Sequence, residues 1–334
     1  MKKVLVMGGT GAMGTYLVPY LADMGHMVDV VSLDDVKSEQ PNIRYIKENA
    51  KDDEYLKSLL TETSYDGIVD FLIYSTQEFF KRYRLLLDHT KHYIFLSTYR
   101  IYANEEHPIR ETSPRLLDAS MDGHFLSTAE GEYSLYKARQ ENILRNSDYK
   151  NWTIIRPAIT FSKFRYQLVT LEANIVVHRA LAGKKVLLPE GARNVQATMS
   201  WAGDVARMIS LLLWNEKAYC EAFTVATAEH NTWETVAEYY KELIGLDYAF
   251  VEDETYLKCF HSSDGARYQL LYDRCFDRII DNTKILSVTG MKQSELMPLK
   301  QGLALELSNL PKNHDWGYCE ANTIMDELVQ ELKL

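Results

Sequence analysis

Short β-branched runs alternate with helical patterns through the first half of the chain. Val4–Met7 reads as a buried strand, followed by glycines and a helix from Gly11 to Met24. Gly25-His26 marks a turn, Val28–Leu33 a second strand and Ile43–Ile46 a third. Asp52–Leu60 has a helical pattern, with acidic residues at its positive N-terminus. Gly67–Tyr74 and His92–Ser97 read as further strands, separated by a helix over Gln77–His89. A helix over Tyr133–Arg145 leads into strand Thr153–Arg156. This alternation predicts right-handed crossovers and a parallel sheet covered on both faces. The second half is less regular. Helices are expected at Leu168–Ala182, Ala202–Leu213, Thr232–Ile244 and Glu320–Leu332, and short β segments at Lys185–Leu188, Ala222–Ala226 and Tyr248–Val251. The expected architecture is α/β, with the parallel sheet in the first half. A smaller C-terminal subdomain would follow it. Without a Pro/Gly/Ser linker, the two should pack directly and form a ligand cleft at their junction.

Composition narrows the function. The 334 residues carry 37 Lys+Arg and 47 Asp+Glu, a formal charge of −10. An acidic chain argues against broad binding to a nucleic-acid backbone. Cys220, Cys259, Cys275 and Cys319 are far apart and show no zinc-ribbon or disulfide spacing, and the nine histidines show no metal-ligand pairing, so no metal site is expected. The opening apolar run is too short for a signal-peptide core, and no stretch is long enough to span a membrane. A cytoplasmic location follows as an expectation.

The first chemical signal is Gly8-Gly9-Thr10-Gly11-Ala12-Met13-Gly14, lying between a strand and a helix. Gly8 would permit the tight turn, Gly11 a close approach of backbone to a pyrophosphate, and Gly14 close packing of helix on strand. The helix N-terminus would offer its N–H groups to the phosphates. About 20 residues on, an acid favours NAD and an Arg favours NADP. Ser32 stands at the expected ribose contact and Asp34 just beyond it, with no Arg nearby. NAD is the favoured cofactor, with NADP left open.

The second signal is Tyr133 and Lys137, one helical turn apart and on one face. An ammonium near a phenol favours phenolate and makes the tyrosine a usable acid/base. Strand His92–Ser97 runs into Thr98, a hydroxyl at the carboxyl end of a central strand, where open α/β sheets bind ligands. Thr98 could donate to a substrate oxygen while Tyr133 moves its proton.

With these motifs in this order, the chain resembles the extended short-chain dehydrogenase/reductases, in particular the NAD-dependent epimerase/dehydratase group typified by UDP-glucose 4-epimerase. The resemblance rests on the glycine loop, Tyr65 to Asp70, Phe95 to Tyr102, Tyr133 to Lys137, Ile155-Arg156-Pro157, Gly203 to Ala206 and Asp281 to Lys284. It implies a Rossmann-type doubly wound parallel sheet over residues 1–160, re-entered around 195–230, with a smaller α/β substrate subdomain in most of 161–334. It also implies hydride transfer between a nicotinamide and a sugar carbon, with a nucleotide-sugar as substrate. Tyr133 would be the acid/base, Lys137 would bind the nicotinamide ribose and lower the pKa of Tyr133, and Thr98 would orient the substrate. Gly8, Thr10, Gly11, Ala12, Met13, Gly14, Ser32 and Ser97 would contact the dinucleotide. Asn49-Ala50 and Leu72-Ile73 would wall its adenosine, and Pro157 its nicotinamide end. A homodimer through the Tyr133 helix and its neighbour is also implied.

The departures matter. Tyr99-Arg100 stand where 4,6-dehydratases carry Asp-Glu, which argues against dehydration. Asn49 replaces an acid, Ile159 a substrate-binding Asn, and Ala197 a diphosphate-binding Arg. Arg100, Ile159, Arg193, Arg274 and Arg278 become candidate substrate contacts. Two rivals therefore stay open: a reductase of a small non-nucleotide carbonyl compound, and a catalytically silent NAD(P)-binding regulatory or RNA-binding protein. Residues 112–131 are expected to form a mobile cover over the cleft.

Overall fold

The computed structural model describes residues 1–128, 131–163, 165–311 and 314–334. Seven parallel strands form the central sheet: β1 (Lys3–Met7), β2 (Met27–Ser32), β3 (Ile43–Lys47), β4 (Gly67–Asp70), β5 (Tyr93–Leu96), β6 (Trp152–Pro157) and, much later in sequence, a strand at Glu221–Val225. In the order β3-β2-β1-β4-β5-β6, with Glu221–Val225 at the far edge beside β6, the sheet is a Rossmann-type doubly wound α/β sheet. The chain order reverses between β1 and β4. A crevice therefore opens at the carboxyl ends of these two strands.

Alternation along β1 shows why both faces are covered. Val4 and Val6 enter a core shared with Leu17, Val18, Leu21 and the Ala202–Leu212 helix. Leu5 and Met7 point the other way, into a core with Leu56, Phe79 and Leu86. Two helices on this second face have strong starts. The carboxylate of Asp52 accepts from Glu54 N and Tyr55 N to begin Asp53–Glu62, and Ser75 with Glu78 forms a capping box for Thr76–Asp88.

Strand limits differ from the sequence reading in instructive ways. β4 ends at Asp70 rather than Tyr74, because the buried Asp70 carboxylate turns the chain by accepting from Leu72 N at 3.0 Å, Tyr74 OH at 3.3 Å and Tyr93 OH at 2.8 Å. The helix expected from Leu168 starts only at Ala173, since Val169 sits at φ 54° between two bridged residues, Leu168 and Leu171. Among the described residues, three two-stranded ribbons lie outside the main sheet. β7 (Ile159–Phe161) and Met199–Trp201 run parallel, as do Val186–Pro189 and Tyr248–Val251, while Gln196–Ala197 and Asn231–Thr232 are antiparallel.

The expected mobile cover takes another form. Within 112–131, Ala129 and Glu130 lie outside the described residues. The described part folds as two short helices, Leu116–Ala119 and Gly123–Ser127, and none of it lines the cleft. Phe125 is buried and stacks on Tyr272 at 4.1 Å, and Tyr272 OH donates to Asp122 at 2.5 Å. Aromatic burial anchors this segment to the later half of the chain. Among the described residues, no helix is long and apolar enough to cross a membrane.

Candidate active site

A cleft of about 400 Å³ opens at the carboxyl ends of the central strands. Its floor is the turn after β1. Gly8 has φ +72°, a conformation that glycine adopts without strain. A Cβ at Gly14 would stand 2.2 Å from the Gly9 carbonyl oxygen, so the helix Gly14–Asp23 can pack this closely on the turn only with glycine there. Gly11 is exposed, and a Cβ there would meet only Gly8 O at 3.6 Å, leaving the space above it open to a ligand. The helix begins at Gly14 rather than Gly11, without a side-chain cap and without an acidic residue in its first turn. Its N-terminus is thus unopposed and suited to an anion. Gly14→Ala is expected to disrupt the loop and lower stability, whereas Gly11→Ala should fold normally and lose dinucleotide affinity, as thermal melts and calorimetric titration of the two variants would reveal.

Thr98, Arg100, Tyr133, Pro157 and Ile159 line the same cleft, with Gly8, Gly11, Ala12, Met13 and Gly14 at its other end. Ile73 also lines it, while Leu72 lies beneath Gly8, 3.2 Å from where a Cβ would be. Thr10, Ser32 and Asp34 form a separate hydrogen-bonded group at the end of β2. Thr10 Oγ1 and Ser32 Oγ are 2.7 Å apart, and Thr10 Oγ1 donates to Asp34 at 2.6 Å. Asn49 is exposed on the neighbouring loop, and Ala50 is buried in the core.

Tyr133 opens the Tyr133–Arg145 helix, whose cap is Glu132, accepting from Ser134 N at 3.1 Å. Burial raises the Tyr133 phenol above its ordinary value, opposed by the charges of Arg100 and Arg165 and by a hydrogen bond with Thr98. Lys137 has a backbone partner. It is fully buried, donates to Leu96 O at 2.6 Å, and lies 5.9 Å from the centre of the Tyr133 ring, behind the cleft wall. The nearer cation is Arg100, 5.3 Å from that centre.

Burial pushes Lys137 down to about 8 from its ordinary 10.5. Below about pH 8 both folded and unfolded chains hold this proton, and the fold bears the full cost of a buried ammonium. Between about 8 and 10.5 only the unfolded chain holds it, so that cost disappears as pH rises. Lys137→Met is therefore expected to gain stability relative to the parent at pH 7 compared with pH 10.5, by up to ~3 kcal/mol. Paired urea titrations at the two pH values check this.

Several candidates have other duties. Ser97 faces the cleft, but its hydroxyl donates to Glu141 at 2.6 Å. Glu141 also receives Arg156 Nε at 2.9 Å and Nη2 at 2.6 Å, while Arg156 Nη1 reaches Tyr102 OH at 2.8 Å. This buried cluster fixes the end of β5 to β6. Arg193 does not line the cleft; it is paired with Glu190 and Glu234 and stacked 4.3 Å from the centre of Phe250. Arg274 does line the cleft, but its nitrogens donate to Val169 O, Tyr99 OH, Asp273 and Gln167. Arg278 is buried behind it, donating to Asp273 and to Tyr102 O. The sequence reading missed Phe71, Thr160, Arg165, Gln167, Glu172 and Gln269, which also line the cleft. The one available signal was Arg165, a cation a few residues beyond the Arg156-Pro157 motif.

Residues 4–226 match the profile of the NAD dependent epimerase/dehydratase family. The chain belongs to that family. It is also 25% identical over 252 residues to the chloroplast stem-loop binding protein of 41 kDa b of Arabidopsis thaliana, a match covering 71% of this chain and 62% of that relative. Among solved structures, UDP-glucose 4-epimerase of Thermotoga maritima with UDP-glucose superposes with TM-score 0.66 at 20% identity, covering 92% of this chain and 97% of the other. UDP-glucose 4-epimerase of Thermus thermophilus with NAD gives TM-score 0.66 at 17% identity, covering 92% and 98%. These likenesses confirm the fold. Among the described residues, no cluster of His, Cys, Asp or Glu could hold a metal ion.

Proposed function

We propose that this chain binds NAD over the glycine turn and moves a hydride to and from a sugar carbon, with Tyr133 as acid/base and a nucleotide-linked sugar as substrate. The observation that carries this reading is the placement of Thr98, Tyr133 and the glycine turn around one cleft at the sheet's topological switch point. The Gly11 opening and the uncapped helix N-terminus suit a pyrophosphate. When bound, nicotinamide supplies a hydride acceptor and donor. The Tyr133 oxygen takes the substrate hydroxyl proton and returns it, and Thr98 holds the same oxygen by a hydrogen bond. Lys137, with its ammonium on Leu96 O, sets the wall against which the nicotinamide ribose would lie. Tyr99-Arg100 leave no carboxylic acid beside Thr98 for the elimination of water, which favours epimerisation over dehydration.

Dimerisation would use the exposed face of helices Thr76–Asp88 and Tyr133–Arg145, where Phe80 is 61% exposed beside Ile143. Sedimentation of the Phe80→Glu variant tests it. Reduction of a small carbonyl compound is favoured by Ile159 in the cleft wall and by Ala197, buried in its ribbon with no cation in its place. Steady consumption of added NADH would select that reaction, since an epimerase returns the hydride to its own substrate. The Arabidopsis relative is named for stem-loop binding, which favours a nucleic-acid-binding role, against a charge of −10. Filter binding of a stem-loop RNA across salt concentrations decides that point.

A further inference from the structure

Beyond Tyr133, the cleft wall is cationic in a chain that is acidic overall. Arg100, Arg165 and Arg274 line it, and Arg278 stands behind them. Buried Asp273 serves three of these guanidiniums: it pairs with Arg274, with Arg278 Nε at 3.1 Å and with Arg100 Nε at 3.4 Å. Glu132 takes Arg100 Nη2 at 3.2 Å. Glu172, the carboxylate lining the cleft among the described residues, receives the Gln167 side-chain amide. Four guanidiniums thus face three carboxylates, and the surplus charge falls on Arg165. Half-buried in the cleft wall, Arg165 has no hydrogen-bond or ion-pair partner for its guanidinium among the described residues. A second donor is also spare. Arg100 Nε is buried and makes no hydrogen bond, only the 3.4 Å ion contact.

A planar guanidinium left unpaired in a concave site is built for a carboxylate or phosphate, which it grips with two parallel N–H donors. The position matters equally. Arg165 lines the same cleft as Tyr133 and is close enough for its charge to act on that phenol.

We infer that the catalytic end of this cleft is an anion subsite, in which Arg165, assisted by Arg100, holds a carboxylate or phosphate carried by the substrate next to the carbon that reacts. This rests on the hydride-transfer reading above and deepens it. The subsite does not replicate a diphosphate clamp at Ala197, because Ala197 is buried in its two-stranded ribbon and does not line the cleft.

The test uses the full chain loaded with NADH and follows nicotinamide fluorescence during titration. The probes are glucose, glucuronate, glucose 6-phosphate and UDP-glucose, which separate a neutral sugar from a carboxylate, a phosphate monoester and a diphosphate. At least one anionic sugar is expected to bind well above glucose. Arg165→Gln should weaken that sugar by about tenfold or more, with NADH affinity unchanged, and Arg165→Lys should recover part of the loss. NADH binding with no preference for an anionic sugar, or an Arg165→Gln variant indistinguishable from the parent, overturns the subsite alone. A parent chain that does not bind NADH overturns the hydride-transfer reading and the subsite with it.

Discussion

Tyr133→Phe is expected to lower turnover by about 10²–10⁴-fold, the range contributed by a positioned acid/base, while leaving NAD affinity within about twofold. The phenyl ring keeps the packing against Tyr136, which meets Tyr133 edge-on at 5.4 Å, so the change removes only the proton-carrying oxygen. In the proposed reaction the cost falls on the chemical step, because that oxygen, hydrogen-bonded with Thr98, would carry the proton. In the proposed reaction, activation of Tyr133 would come from two arginines. Burial holds the phenol high, and Arg100 and Arg165 oppose it from the cleft side. Lys137 has its ammonium on Leu96 O, 5.9 Å from the centre of the Tyr133 ring. Single-turnover kinetics with an identified sugar, together with calorimetry for NAD, separate the two effects. A variant that turns over like the parent refutes the role of Tyr133.

Glu141→Gln is expected to cost about 3–5 kcal/mol of stability, the penalty for leaving one member of a buried ion pair without its partner. Glu141 and Arg156 are both essentially inaccessible to solvent, and the carboxylate also accepts from Ser97. Glutamine keeps the shape but leaves the Arg156 guanidinium buried beside a neutral group. Because Ser97 precedes Thr98, disorder here would also reach the Thr98 hydroxyl that lines the cleft. Burial works against ionised Glu141, but Arg156 outweighs it and holds the carboxyl below its ordinary 4.5. The stabilisation is therefore complete above the ordinary glutamate range and is lost as pH falls through the lower folded value. Urea unfolding should show the two proteins converging in stability as the pH is lowered. A difference below about 1 kcal/mol at pH 7 would contradict a buried, mutually dependent pair.

The parallel sheet was legible because its signal is local. Strands buried on both faces appear as β-branched runs, and the glycine loop declares itself between a strand and a helix. That Thr98 and Tyr133 share the cleft with the glycine turn was legible for the same reason. What sequence could not give was the direction of long side chains. Lys137, one turn from Tyr133, turns behind the wall to a backbone carbonyl, since a helical spacing places two residues on one face without fixing where their ends go. The Asp273 cluster joins Arg100 to residues more than 170 positions away, and nothing along the chain announces that contact. Nor does local pattern reveal that Asp70 ends β4 early, because its partners include Tyr93 on the neighbouring strand. Arg274 and Arg193 looked alike as candidate clamps. Burial against Asp273 put one in the cleft wall, and the exposed pairs with Glu190 and Glu234 kept the other at the surface.

A crystal structure of the chain grown with NADH tests the central claim most directly. The account predicts a pyrophosphate over Gly11, Ala12 and Met13, and a nicotinamide ring between Pro157 and the Thr98–Tyr133 pair, with the Tyr133 oxygen within hydrogen-bond reach of a substrate hydroxyl placed on that ring. A dinucleotide bound elsewhere, or a nicotinamide ring remote from Tyr133, would contradict it.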